Sequence, residues 1–447
     1  MMGRVDTFDW STHPEAEALT SALVAEALSA SRPAAALADS VTRATSTHLS
    51  DWLDHVSGPV APARLAAAGF VDGHGTAPGV WRHPGAQLPA VVAGPARSLA
   101  LRVDDAAAFS TAHGGAGPVV GSPGAGMRAA VVLDGAVRVL GVERRSWTSG
   151  VSPVESGDGE QLAAVRARRL WAERPRTAFG MYDGAAGVAD ARRRAEQMVA
   201  LVGADLAASY VMEEERAFWQ RRNTAAAVQH ARQDRLGLGW GNHDHHTFRS
   251  SREAFRGLIE VLVVLGFSLR ERFYAGDDAG WGAQVLEQSG AGLVVFADVD
   301  LTPDEVAVDF ASAELPASED LGTVGLWCAL HGESLLAAGM HHLEGQFDFD
   351  RLRDDLAERS IGQMRPFSNL PHLRQAFTEP ERWPVEPSRL AALVSAGSLS
   401  TEKAREFAVG GAAGSHLENL ARRGGFKGFN QANVSDTMRA TDPRLLA

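Results

Sequence analysis

Apolar and polar positions alternate most legibly after residue 245. Thr247 to Arg249 suits a strand, and Ser250 or Ser251 can cap a helix. In that helix Phe255, Leu258, Ile259 and Leu262 recur at the three-four-seven spacing of one buried face. Gly266 stops it. Residues 267–274 then alternate, with Leu269, Glu271 and Phe273 set against Arg270 and Arg272, and Gly276-Asp277-Asp278 turns the chain. Gly282 to Gln288 and Leu293 to Val299 complete a strand-helix-strand-strand-strand order. A second unit is expected from Glu333, with a His-rich strand near His341-His342 and a helix from Phe349 to Arg359 carrying Leu352 and Leu356 on one side. Residues 366–387 read as loop and 387–409 as helical. The stretch from Gly414 to Phe426 fits strand or helix.

The first half is less periodic. Residues 12–56 read as helices. Thr12 and Glu15 have capping-box spacing, Leu19, Leu23 and Leu28 form part of a stripe, and Ser31-Arg32-Pro33 breaks it before a second helical run to Trp52 and Leu53. From about 60 to 150 come short apolar runs split by Gly and Pro. Arg128 to Leu133 and Ala136 to Leu140, joined by Asp134-Gly135, predict a hairpin. Gly121 to Gly126 is Gly-rich but lacks the Lys-Ser/Thr of a phosphate loop, so it reads as plain loop. Residues 160–235 have helical spacing, with Glu213-Glu214-Glu215 and Arg221-Arg222 expected on a solvated face. This divides the chain into an N-terminal α+β region, 1–220, ending in a helical connector, and a second domain, 221–447.

At 447 residues the chain exceeds one ordinary core. Hydrophobic content of 45% with 22% charged residues is that of a globular protein. The net charge of -12 argues against a nucleic-acid partner. Cys328 is the one cysteine, so a metal would sit on His, Asp and Glu. Residues 1–10 carry Asp6 and Asp9 and no apolar core, and the apolar run from Val261 to Phe267 is too short to span a bilayer. A soluble cytoplasmic protein without a membrane partner is expected.

Those donors concentrate in His243-Asp244-His245-His246. On a strand His245, Thr247 and Arg249 share a face, which sets a metal ligand, a small polar group and a guanidinium on one wall. Arg249 is placed to take a substrate carboxylate in bidentate fashion, with Thr247 beside it. His243 shares that face and His246 takes the other. At His341-His342 the strand phase decides. If Leu343 enters the core behind the sheet, His342 and Glu344 face the cavity; the reverse phase presents His341. His342 is preferred.

The strand-helix-strand-strand-strand order is the repeat of the vicinal-oxygen-chelate (VOC) fold, whose paired units curl a sheet around a metal. The residues also resemble a family. His245-His-Thr-Phe-Arg249 resembles the His-x-x-x-Arg motif of the DUF1338 family, the 2-oxoadipate dioxygenase/decarboxylases, which are VOC-like and Fe(II)-dependent. Gly339-Met-His-His-Leu343 resembles the family's second motif, without its Asn before the His and its Thr after. His416-Leu-Glu418-Asn-Leu-Ala-Arg-Arg-Gly-Gly-Phe426 resembles its terminal motif. The resemblance covers roughly residues 240–440, and the helical piece at 387–409 resembles a segment that precedes the second histidine in the family. It implies an α+β, VOC-like fold and Fe(II) on His245, His342 (or His341) and Glu418, the two-His-one-carboxylate triad that leaves positions open. It also implies a small-molecule 2-oxo acid and dioxygen as substrates, with oxidative decarboxylation and hydroxylation giving a shortened 2-hydroxy acid. Arg249 would hold either the distal carboxylate or the one at the metal. Residues 1–220 would cover the cavity mouth or form a homodimer contact.

Two other classes compete. Gly241-Asn242-His243-Asp244 matches the Gly-Asn-His-Asp element of calcineurin-like metallophosphoesterases, with Asp72-Gly-His74 as its Asp-x-His. The Gly-Asp-x-x-Asp between them is missing, since Gly157-Asp158 continues without the second Asp. The third class is a non-catalytic VOC-like binding protein.

Overall fold

The computed structural model describes residues 10–73, 79–115, 117–176, 184–276, 279–368, 370–430 and 441–445. The chain opens with α1 (Pro14–Ala30) and α2 (Arg32–Thr45), separated at Ser31, whose hydroxyl accepts from the Ala34 N–H. His13, not Thr12, precedes α1 and makes no side-chain cap bond, so the expected capping box does not form. Leu49–Trp52 is a single tight turn, and Leu53 already belongs to a strand.

The first half is itself built from two strand-helix-strand-strand-strand units. One comprises β1 (Leu53–Gly58), α3 (Pro62–Ala67), β2 (Val71–Asp72), β3 (Val80–Arg82) and β4 (Ala90–Ala93). The other comprises β5 (Ser98–Arg102), α4 (Ala106–Ala112), β6 (Val119–Val120), β7 (Met127–Leu133) and β8 (Arg138–Arg144). They form one eight-stranded sheet in the order β2-β3-β4-β1-β5-β8-β7-β6, with β1 and β5 antiparallel at its centre. The expected hairpin is β7 and β8. The unit escapes a sequence reading because β2, β3 and β6 are two or three residues long, too short for alternation to show.

Four helices follow: α5 (Asp158–Ala172), α6 (Ala185–Val202), α7 (Ala204–Gln220) and α8 (Thr224–Asp234). The acidic run on α7 is not a solvated face. Glu215 is fully buried and takes hydrogen bonds from Arg174, Arg176 and the Trp171 indole, while Glu213 pairs with Arg145 and Arg168. The arginines come from segments distant in sequence, so charge spacing along α7 alone could not reveal the pairing.

The second half repeats the plan. β9 (His243–Arg249), α9 (Arg252–Val264), β10 (Ser268–Tyr274), β11 (Trp281–Gln288) and β12 (Leu293–Asp300) form the unit read from sequence. Ser251 caps α9, the faces of Phe255, Leu258, Ile259 and Leu262 are buried, and Gly266 ends the turn at φ +84°. Each such side chain contributes about 1.5–3 kcal/mol on burial. After α10 (Thr323–His331) come β13 (His342–Gln346), α11 (Phe349–Ala357), β14 (Leu373–Phe377), β15 (Glu381–Trp383), α12 (Pro387–Ser395), α13 (Thr401–Gly410) and β16 (Ala412–Arg422). Residues 366–387, expected as loop, thus contain two short strands, and 414–426 resolves as strand through Arg422. The helical pair α12 and α13 is inserted between β15 and β16, which is why the second unit looked asymmetric. The sheet runs β10-β11-β12-β9-β13-β16-β14, with β15 also on β16. The whole is a mixed α+β fold of two sheets, each assembled from strand-helix-strand-strand-strand units. Among the described residues no helix is long and apolar enough to cross a membrane.

Candidate metal centre

β13 lies between β9 and β16, antiparallel to the first and parallel to the second. In this register His342 stands opposite Thr247, and Glu344 opposite Glu418. Phe248, Leu343 and Leu417 turn to the helix-covered core. By alternation His245, His342, Glu344 and Glu418 turn to the other face. Their donor atoms all lie within 4.8 Å of one another, and all four residues are buried. The strand phase that puts Leu343 in the core is the one observed.

The three expected ligands are therefore together, and Glu344 joins them. His245 Nε2 contacts Glu344 Oε1; His342 Nε2 is 3.2 Å from Glu344 Oε1 and 3.6 Å from Glu418 Oε2. His341 lines the same cavity, with its Nδ1 2.7 Å from His342 Nδ1, so it contacts the preferred histidine. Glu344 shares a face with His342 two residues away. Alternation alone placed it in the cavity, but a three-ligand expectation gave it no role.

A surrounding layer fixes the donors. Asp244 accepts from His245 Nδ1 at 3.0 Å, which leaves Nε2 free to face the group. Asp244 is itself held by Arg422 through two bonds of 3.0 and 2.9 Å and by Gln346 at 3.1 Å. Burial alone would raise the Asp244 carboxyl, but the Arg422 guanidinium outweighs it and keeps the carboxyl well below the usual range. Gln375 donates to Glu418 Oε1 at 2.9 Å. Burial pushes Glu418 up to about 7, and burial together with the facing Glu418 pushes Glu344 well above its ordinary value. Two carboxyls forced together out of water are what a divalent cation would neutralise. Glu344 Oε2 has no hydrogen-bond partner among the described residues, so the set also has a spare donor atom.

The remaining histidines of the cluster sort differently. His246 lies on the opposite face, bonded to Arg216 and to the Val294 carbonyl, and His243 bonds the Trp240 carbonyl. Asn242 donates to the Gln346 carbonyl. Asp72 lies exposed on β2, His74 lies outside the described residues, and the metal-competent group contains none of the phosphoesterase-like residues.

Thr247 and Arg249 line the same cavity of about 50 Å³, walled by Phe273, Trp281, Phe296, Phe367, Phe377 and Phe429. Arg249 is almost fully buried. Its Nε and Nη1, and Thr247 Oγ1, have no hydrogen-bond partner among the described residues. The nearest carboxylate, Asp298, is 3.9 Å from Nε, and burial pushes that group up to about 7. Arg249 Nη2 reaches Thr441 at 3.4 Å, and the guanidinium carbon stands 5.7 Å from the Trp327 ring.

Two expected results follow from this layer. Asp244→Asn should lower metal affinity about 10–100-fold, because His245 loses its anionic partner; chelator competition measures it. Six buried histidines, His243, His245, His246, His341, His342 and His416, and the half-buried His331 are held neutral mainly by desolvation. They bind protons only on unfolding, so their contribution is present above about pH 6.5. It is lost as pH falls towards about 4 for His245 and His416 and about 3 for His331. Glu344, Glu418, Asp298, Asp300 and Asp51, whose carboxyls burial raises, act in the opposite sense but are fewer. The metal-free protein should therefore lose thermal stability steeply below pH 6.5; a flat Tm from pH 8 to 5 would contradict this.

No family model and no curated protein matches the chain. Among solved structures it is similar to a triple mutant of 4-hydroxymandelate synthase from Streptomyces coelicolor (12% identity, 88% of this chain and 98% of that one, TM-score 0.28). It is also similar to protein YdcJ from Shigella flexneri, which includes domain DUF1338 (11% identity, 52% and 73% covered, TM-score 0.25). A third is the Mn(II)-bound glyoxalase from Novosphingobium aromaticivorans (10% identity, 83% and 82% covered, TM-score 0.20).

Proposed function

We propose that the chain is a non-haem Fe(II)-dependent dioxygenase acting on a 2-oxo acid, which it decarboxylates and hydroxylates to a shortened 2-hydroxy acid. One observation carries this reading: a buried two-His, two-Glu group opens on a cavity whose wall holds a buried, under-bonded arginine. The order of the three motifs shared with the DUF1338 family supports it. His245, His342 and Glu418 are the residues that would hold the metal, and their imidazole and carboxylate donors suit ferrous iron. When bound, the iron supplies the redox chemistry with dioxygen, and the protein contributes geometry.

The chain's own residues do the rest. Asp244 keeps the His245 ring in one tautomer. Arg249 and Thr247 receive a carboxylate of the substrate, because their unpaired donors are desolvated already and lose little on binding. The aromatic wall keeps bulk water from the reacting carbons and accepts an apolar body.

Glu344 favours a second reading. If Glu344 held the metal as well, the fourth protein donor would leave fewer open positions, enough for a chelating substrate but not for dioxygen beside it. The chemistry would then be redox-neutral, an isomerisation next to a carbonyl. Supplying a panel of 2-oxo acids to the iron-loaded protein separates the two. The dioxygenase consumes oxygen in step with carbon dioxide release. The isomerase consumes none and exchanges substrate hydrogen with deuterated solvent. A loaded protein that does neither overturns both.

A further inference from the structure

A second and larger cavity, about 770 Å³, lies between the two sheets. On one side are Arg82 and Arg102, at the ends of β3 and β5. These strands finish at the same edge of the first sheet, because Val71 pairs with Arg82, Trp81 with Val91, and His55 with both Ala90 and Ala100. On the other side are His243 and Asp244, where the chain enters β9, and the Gly290–Gly292 turn between β11 and β12. The two sides meet closely: a Cβ on Gly241 would lie 2.0 Å from the Arg102 carbonyl oxygen.

The carboxylates on this wall are already matched. Asp54 is held by Arg144 at 2.9 and 2.7 Å, Asp244 by Arg422, and Glu287 by Lys427 at 3.0 Å and Arg270 at 3.3 Å. The Arg82 and Arg102 guanidiniums, in contrast, make no hydrogen bond or ion pair with any described residue. Arg82 rests on the Trp147 ring, 4.7 Å from its centroid, and Arg144 lies over the same ring at 3.8 Å. His243 Nε2 is buried without a partner among the described residues. Burial pushes Arg102 down to about 10; Asp54 counters it, while Arg216 and Arg144 add to the fall. In a chain of net charge -12, two unmatched, part-buried guanidiniums on an otherwise neutralised wall form a site of net positive charge.

We propose that this cavity binds a small polyanion, a phosphate- or polycarboxylate-bearing molecule, through Arg82 and Arg102. Two planar guanidiniums offer bidentate donors to such oxygens. The volume admits a body beyond the charged group, with Trp147 beside it. The assignment stands whether or not the other cavity holds iron. The two sites share Asp244, which lines this cavity and holds His245 in the other.

Calorimetric titration of pyrophosphate and of citrate, at fixed ionic strength, tests it on the wild type, Arg102→Gln and Arg82→Gln. The wild type should bind at least one probe, and each variant should bind it about tenfold or more weakly. Pyrophosphate alone would identify a phosphate ligand, and citrate alone a polycarboxylate. Thermal melts keep the test independent of folding losses: without anion Arg102→Gln should melt no lower than the wild type, since it removes an unmatched, part-buried charge, and pyrophosphate or citrate should raise the Tm of the wild type only. Binding of neither probe, or equal binding by all three proteins, would overturn the proposal.

Discussion

Glu418→Ala and His245→Ala proteins should fold and lose their divalent metal. Each substitution removes one donor from a group whose atoms lie within 4.8 Å. Leu417 and Asn419 flank Glu418 on β16, but alternation turns Leu417 to the core, and Asn419 bonds the Phe349 carbonyl and Gln363. Loss of a ligand should exceed the effect of losing its supporting partner, so affinity should fall by more than about 100-fold. Stability without metal should move the other way or not at all. Removing Glu418 relieves the repulsion with Glu344, at the cost of leaving Gln375 without its acceptor. Metal content after dialysis, read beside Tm in a chelator, separates lost ligation from lost folding. Glu344→Gln divides the two functional readings. Full metal retention places Glu344 outside the ligand set, whereas loss on the scale of Glu418→Ala makes it a fourth ligand.

Arg249→Met should leave metal retention intact and abolish productive substrate binding. The guanidinium sits in a water-poor cavity, where an anion–arginine pair is worth roughly 2–5 kcal/mol when one partner is removed. That corresponds to about 30-fold or more in affinity for a 2-oxo acid. Arg249→Lys should recover little, because one ammonium cannot reproduce the planar fork. The metal-free variant should be at least as stable as the wild type, since Met removes a buried cation whose Nε and Nη1 have no hydrogen bond among the described residues. Anaerobic titration of the iron-loaded variant with a 2-oxo acid provides the check. Wild-type affinity in Arg249→Met would remove Arg249 from the substrate site.

The second sheet was legible where its elements are long. The α9 stripe and strand β10 follow from spacing alone, because thirteen and seven residues are enough to show a period, whereas β9, buried along its whole length, was read as strand only from Thr247. Strand β16 was not, although it has eleven residues: nine are buried, so its polar members, Ser415, His416, Glu418 and Asn419, break any alternation. Buried polar side chains that serve a site erase the pattern by which a strand is recognised. The same cause hid β14, whose Gln375 reaches Glu418. The first sheet failed for another reason, strands of two or three residues whose pairing is decided across the sheet rather than along the chain.

At the site, His245, Thr247 and Arg249 share a face because of strand geometry, and one apolar residue, Leu343, set the phase that brings His342 in. Glu418 rested on motif resemblance. Asp244, read in the sequence as part of a phosphoesterase-like element, instead holds His245. That role depends on Arg422 arriving from β16, a contact between residues 178 positions apart that no local pattern carries.

Anomalous diffraction at the iron edge, from crystals of the Fe(II)-loaded protein grown without oxygen, bears most directly on the central claim. A single strong peak should lie between His245 Nε2, His342 Nε2 and a Glu418 carboxylate oxygen, within bonding distance of each. A peak at another set of side chains, or no peak in protein shown to contain iron, would contradict it.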